Sequence, residues 1–150
     1  MPSSPQVING IVYIGSEDKY VYALNATDGS FKWEYPTGGL LESSPQVVDG
    51  AIYIGSDDGN VYALNATDGV LKWKNQTGGA VISSPHVVNG IVYVGSNDHD
   101  IYALNAVSGS LKWKYQTGGA VISTPQVVNG IFNGVVYVGS NDGYVYALNT

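Results

Sequence analysis

The chain has 150 residues, a net charge of −6, and neither cysteine nor arginine. No disulfide framework, thiolate nucleophile or thiolate metal site can be built from it, and no guanidinium is present to grip a phosphate bidentately. Six lysines against twelve acidic residues also exclude nucleic acid as a partner, because that binding is mostly phosphate neutralisation by a basic surface.

A hydrophobic content of 44% with 12% charge is that of a globular chain, not a disordered one. Apolar runs are a few residues long, too short for a membrane-spanning helix. No basic, apolar leader follows Met1, so no secretory signal is expected in this chain. Compartment is left open.

Self-similarity organises everything else. Pro5, Pro45, Pro85 and Pro125 recur every forty residues, each after two small hydroxyl residues (Ser3-Ser4, Ser43-Ser44, Ser83-Ser84, Ser123-Thr124). Within a unit the pattern predicts four strands. The first runs from Pro5 to Ile8 and ends at Asn9-Gly10, a strong signal for a type I′ hairpin turn. Asp49-Gly50, Asn89-Gly90 and Asn129-Gly130 repeat it. The second, Ile11 to Ser16, is dense in β-branched and aromatic residues. A polar turn, Glu17-Asp18-Lys19, leads to the third strand, Tyr20 to Asn25. Thr27-Asp28-Gly29 then turns into the fourth. There Phe31, Trp33 and Tyr35 are expected on one face, with Lys32 and Glu34 on the other. Charges alternating along a last strand protect an exposed sheet edge.

Four antiparallel strands per forty residues predict an all-β fold of β-propeller blades. The 3.6-residue periodicity of helical repeats is absent, as are the Gly-His and Trp-Asp dipeptides of WD40 units. The units are read as 3–42, 43–82, 83–122 and 123–150 within a single domain of residues 1–150. The last lacks its outer strand. It also carries an insertion, Ile131-Phe132-Asn133-Gly134, whose aromatic makes it a candidate contact loop or a tolerated addition.

The phrase Ala-x-Asn-x-x-x-Gly-x-x-x-Trp, at Ala23–Trp33, Ala63–Trp73 and Ala103–Trp113, follows Val/Ile-Tyr-Val/Ile-Gly-Ser and Ser-Ser-Pro. It closely resembles the tryptophan-docking motif of the PQQ-like (pyrroloquinoline-quinone-type) β-propeller repeat, over essentially the whole chain. The resemblance implies that Trp33, Trp73 and Trp113 pack between neighbouring blades. A large flat aromatic with one N–H donor suits that role, and Gly29, Gly69 and Gly109 would let the backbones approach. The resemblance also implies eight-bladed rings, twice what this chain encodes. The expectation is therefore a homodimer in which two chains complete one eight-bladed ring. Repeat arrays leave both ends exposed, and an end-to-end contact closes a ring when the rotation fits. A fragment or an engineered repeat is the alternative.

The same resemblance raises quinone-dependent dehydrogenase chemistry, with pyrroloquinoline quinone and Ca²⁺ held by acidic and amide ligands, an Asp base, an Arg and often a vicinal Cys pair. With no Arg or Cys to carry over, no enzyme activity and no cofactor are expected. The turn residues Asp18, Asp58, Asp98 and Asp142, beside Glu17 and Asp57, are a candidate Ca²⁺ or cationic-ligand ring. The favoured reading is that each carboxylate bonds its own turn backbone. Ser44, Ser84 and Thr124 are placed near the axial channel as a polar mouth, without a base to activate them. Glu42 is the one charge breaking the pattern there. His86 and His99 are isolated and make no zinc site. Asn25, Asn65 and Asn75 head glycosylation-type triplets, where modification at the first two would compete with blade packing. The favoured function is a non-catalytic scaffold binding another protein or a peptide. A purely structural assembly without ligand is the runner-up, and a dehydrogenase comes third.

Overall fold

The first hairpins of the first three blades turn at a residue pair whose backbone suits little else. Asn9 and Gly10 have φ of 51° and 75°, Asp49 and Gly50 49° and 73°, and Asn89 and Gly90 51° and 73°. Two successive positive φ angles define the type I′ turn, whose twist matches that of the strands it joins. The computed structural model describes residues 3–129 and 134–150. Ile131, Phe132 and Asn133 of the candidate contact loop lie outside the described residues.

The first blade is a four-stranded antiparallel sheet of β1 (Gln6–Ile8), β2 (Ile11–Gly15), β3 (Tyr20–Asn25) and β4 (Phe31–Pro36). The second repeats it with β5 (Gln46–Val48), β6 (Ala51–Gly55), β7 (Asn60–Asn65) and β8 (Leu71–Gln76). The third has β9 (His86–Val88), β10 (Ile91–Gly95), β11 (Asp100–Asn105) and β12 (Leu111–Gln116). The fourth has three strands, β13 (Gln126–Asn129), β14 (Gly134–Gly139) and β15 (Val145–Asn149). Gly134 pairs with Asn129 and opens β14, so this hairpin is one pair longer than the others.

The short first strands β1, β5, β9 and β13 lie next to one another at the inner edge of the array. Outward from them, sheets pack face to face. Tyr13, Val21, Ala23 and Trp33 of the first blade meet Ile52, Ile54, Tyr62 and Leu64 of the second. The second meets the third through Tyr53, Val61, Ala63 and Trp73 against Val92, Val94, Tyr102 and Leu104. Because middle blades are covered on both sides, β6 is buried along its whole length, as sheets sandwiched between layers require.

One expectation is corrected. Phe31 does not share a face with Trp33. Ala23 pairs with Trp33 but Leu24 pairs with Phe31, a bulge that places two outer-strand residues against one. Such an insertion reverses the side-chain alternation beyond it. Trp33 therefore points forward into the next blade at 8% exposure, while Phe31 points backward and is 61% exposed. The same bulge in the second blade turns Leu71 back onto the core shared with the first blade.

Candidate functional site

The chemistry-bearing residues of each unit converge on two places, the joints between blades and the inner mouth. At the first joint, Trp33 Nε1 donates to Ala66 O (3.2 Å) and Tyr13 Oη donates to the same carbonyl (3.1 Å). At the second, Trp73 Nε1 and Tyr53 Oη donate to Ala106 O at 2.9 and 3.1 Å. The indole lies on a glycine of the following blade. A Cβ at Gly69 would stand 2.6 Å from Trp33 Cε3, and one at Gly109 2.6 Å from Trp73 Cδ2. Both glycines also have positive φ, so no other residue meets both demands without strain.

The ends of the array hold the two unmatched halves of this joint. Gly29 has nothing within 4 Å of its Cβ position, and no indole donates to Ala26 O among the described residues. Trp113 is half-buried against Tyr93 and the fourth blade.

The turn aspartates do more than the Asx role read from sequence. Asp58 Oδ1 accepts from its own turn at Asn60 N (2.9 Å), and its Oδ2 accepts from Tyr62 Oη (2.5 Å). That same Oδ2 accepts from Gly38 N of the preceding blade at 2.8 Å. Asp98 and Asp142 repeat the set with Gly78 N (2.6 Å) and Gly118 N (2.7 Å). Asp18 accepts from Tyr20 N and Tyr22 Oη of its own blade. The carboxylates of Asp58, Asp98 and Asp142 are thus staples between blades. Among the described residues, no three His, Cys, Asp or Glu side chains gather as a metal site.

Burial would raise the Asp98 carboxyl, but donation by Tyr102, then by the Asp100 and Gly78 N–H groups, outweighs it and holds the group below its ordinary range. Asp58 follows the same balance. A carboxyl depressed in the folded state stabilises above its unfolded value, near pH 4, and loses that stabilisation as pH falls through the folded value. The urea midpoint is accordingly expected to drop on acidification below about pH 4. Asp98→Asn should flatten that dependence and cost about 1–3 kcal/mol at pH 7, since an amide nitrogen cannot accept from Tyr102 and Gly78. A pH profile identical in wild type and variant would refute the staple.

At the inner mouth the paired hydroxyls divide their work. Ser3, Ser43, Ser83 and Ser123 Oγ accept from Gly15, Gly55, Gly95 and Gly139 N within their own blades. Ser44 and Ser84 face the preceding blade, accepting from Ser4 N and Ser44 N at 2.9 Å each. Sequence reading placed only this second set, Ser44, Ser84 and Thr124. The structure brings them together with Ser4, Glu42 and Ile82 around a cavity of about 380 Å³. Beside it, Asp57 Oδ1 is buried without a hydrogen-bond partner among the described residues. Burial, then the charge of Glu42, pushes that carboxyl up. A larger cavity of about 740 Å³ opens between the first two blades beside Tyr13, Trp33 and Val47.

The remaining candidates are placed apart. His86 opens β9 opposite Tyr93, while His99 occupies a left-handed turn at φ 77°. Asn25 and Asn65 Oδ1 each accept from the turn N–H two residues on. Asn75 Nδ2 donates to Gly109 O of the next blade at 3.0 Å, so all three are used structurally. No helix among the described residues is long and apolar enough to cross a membrane.

Face-to-face four-stranded sheets joined by tryptophan docks define a PQQ-repeat β-propeller protein. The chain belongs to the PQQ-repeat family described as outer membrane protein assembly factor BamB, whose profile matches residues 2–85 and 75–150. No curated protein matches the sequence at a significant level. Among solved structures, BamB from Moraxella catarrhalis aligns with a TM-score of 0.85 at 21% identity, over 98% of this chain and 45% of that one. The quinohemoprotein alcohol dehydrogenase ADHIIG from Pseudomonas putida HK5 aligns at 0.85 and 20% identity, over 99% and 32%. The computationally designed Ika4 protein aligns at 0.84 and 18% identity, over 99% of this chain and 92% of that one. These identities establish the fold alone. The chain spans less than half the length of the BamB and dehydrogenase chains.

Proposed function

We propose that this chain is a non-catalytic propeller scaffold that pairs with a second copy to close an eight-bladed ring. The observation that carries this reading is that the two ends bear complementary halves of one joint. Val12, Ile14, Tyr22 and Leu24 face backward from the first blade, at the positions where the second blade buries Ile52, Ile54, Tyr62 and Leu64. Tyr137 and Val145 face forward from the fourth blade, 43% and 77% exposed, at the register of the buried Tyr53 and Val61. In a two-copy ring Tyr137 Oη meets Ala26 O as Tyr13 meets Ala66 O. Gln126 likewise meets Val7 N as Gln6 Oε1 meets Val47 N. An end-to-end contact of this kind closes when rotations sum to a full turn. Four blades, read beside a BamB chain of about twice the length, support closure at two copies.

Binding of a protein or peptide partner is assigned to the shared mouth and the ring edge, as fold-level analogy for propellers. Quinone catalysis does not fit the donor set. The chain has no arginine or cysteine, and the carboxylates of Asp58, Asp98 and Asp142 already accept from turn, tyrosine and neighbouring blade. A ligand-free structural repeat is the second reading, favoured by the near-complete overlap with a designed protein.

Light scattering on a size-exclusion column, across a dilution series, tests the ring. A mass twice the 15.8 kDa of the chain is expected throughout. Val145→Asp, which places a charge in the apolar seam, should raise the dimer dissociation constant about 100-fold or more. A compact monomer, or growth beyond two copies, would sink the proposal.

A further inference from the structure

We infer that His86 is a proton-controlled latch between the third and fourth blades, closed when its imidazole is neutral and open when it is charged. The inner strands β1, β5, β9 and β13 belong to four separate sheets, and side chains join them. Gln6 Oε1 accepts from Val47 N, and Gln46 Oε1 accepts from Val87 N, at 2.5 Å each. Both acceptors open their own strand, and both donors are the second residue of the next blade's first strand. The third link has a different chemistry. His86 stands where the other units have Gln6, Gln46 and Gln126, and the matching donor is Val127 N. Among the described residues, Val127 N has no acceptor on the third blade and the half-buried His86 ring makes no hydrogen bond. The structure shows this one link open.

An imidazole can close the link in one protonation state. Its Nε2 lies as many bonds from Cα as a glutamine Oε1, and in the neutral ring with the proton on Nδ1 it is an acceptor. In imidazolium both nitrogens are donors, and neither can receive the Val127 N–H. Imidazole ordinarily changes state at about pH 6.5. The link is therefore available above that range and lost as pH falls through it. The surroundings add little competing charge. β10 presents Tyr93 opposite His86, and burial pushes that hydroxyl up, so it stays neutral. β5 and β13 carry no titratable side chain, and Glu42 is the one charged residue on the loops leading into β5, β9 and β13 (residues 37–45, 77–85 and 117–125). With the latch open, the joint keeps the apolar contacts of Tyr93 and Ala103 with Val127 and Val136. The proton loosens the joint rather than dissolving it.

The chain has two histidines, so the titration can be assigned by substitution. Amide and imidazole signals of the isotope-labelled full chain are followed by NMR from about pH 8 to about pH 5. The Val127 amide should move with the His86 ring, sharing one midpoint, in the wild type and in His99→Asn. In His86→Gln, which restores the side chain of the other three units, it should stay at the wild-type alkaline position throughout. In His86→Ala it should stay at the acidic position. In urea at one fixed protein concentration, acidification across this window should raise the unfolding constant about fivefold more in the wild type than in His86→Gln, the worth of one net hydrogen bond. A Val127 signal indifferent to the His86 titration overturns the latch. Coincident Val127 positions in the glutamine and alanine variants reduce the shift to the field of a nearby charge and overturn it too. Equal acid dependence of stability in the wild type and His86→Gln does the same.

Discussion

Trp73→Ala is expected to cost about 3–5 kcal/mol of folding stability, among the largest losses any single side chain here can give. The indole is 8% exposed, lies flat on Gly109, and donates to Ala106 O. Its removal leaves a cavity between two rigid sheets that cannot collapse onto it. It also leaves the carbonyl with Tyr53 Oη as its remaining side-chain donor. Trp73→Phe keeps most of the apolar contact and loses the N–H, so about 1 kcal/mol is expected. Trp113→Ala is the internal control. That side chain is half-buried and, among the described residues, lies on no glycine of a following blade, so about 1–2 kcal/mol is expected. Urea melts of the three variants at one fixed protein concentration decide the matter, the concentration being held because assembly shifts apparent stability. Equal losses for Trp73→Ala and Trp113→Ala would refute docking as the source of the stabilisation.

Sequence showed the blades clearly and the joints poorly, for a physical reason. Strands and hairpins are local. Asn9-Gly10 dictates its own φ angles, and alternation in Ile11–Gly15 needs only neighbouring residues. Joints instead link residues far apart in the chain. Asp58 meets Gly38 twenty residues earlier, and the trace of that contact in the sequence is the Asp-x-x-x-Tyr spacing with Thr-Gly-Gly in every complete unit. Trp33 meets Ala66 thirty-three residues later, and its role came through resemblance rather than pattern. The face of Phe31 was misassigned because a bulge leaves no mark in an alternating string of apolar and charged residues. Ser44 and Ser84 are legible at the mouth, but the roles of their neighbours Ser43 and Ser83, which accept from Gly55 N and Gly95 N, are not. A serine that closes a turn reads the same as one that faces solvent.

Glycine in the second strand lies tight against the segment that leaves its own blade for the next, and there the added methyl of alanine has no room. At Gly95 a Cβ would lie 2.3 Å from Val121 Cγ1 and 2.4 Å from Val121 O. Gly55 meets Val81 in the same way, at 2.4 Å for both atoms. Side chains can rotate away from such a clash, but a backbone carbonyl moves only with the chain segment that carries it. Gly95→Ala is therefore expected to cost about 3 kcal/mol, the upper end of ordinary overpacking. Val121→Ala in the same chain should recover only part of it, because removing Cγ1 leaves the carbonyl in place. Gly139→Ala provides the contrast. Its nearest atom is Ser123 Oγ at 3.6 Å, ordinary contact, so a change within about 1 kcal/mol is expected. Thermal and urea unfolding of the three variants test the argument, and full rescue by Val121→Ala would disprove the part assigned to the backbone. The consequence reaches the mouth. Val121 precedes Ile122, which lines the inner cavity, so a backbone displaced at Gly95 is expected to shift the wall of that cavity. A variant that folds yet no longer closes a two-copy ring would show that this glycine contact sets the angle between blades.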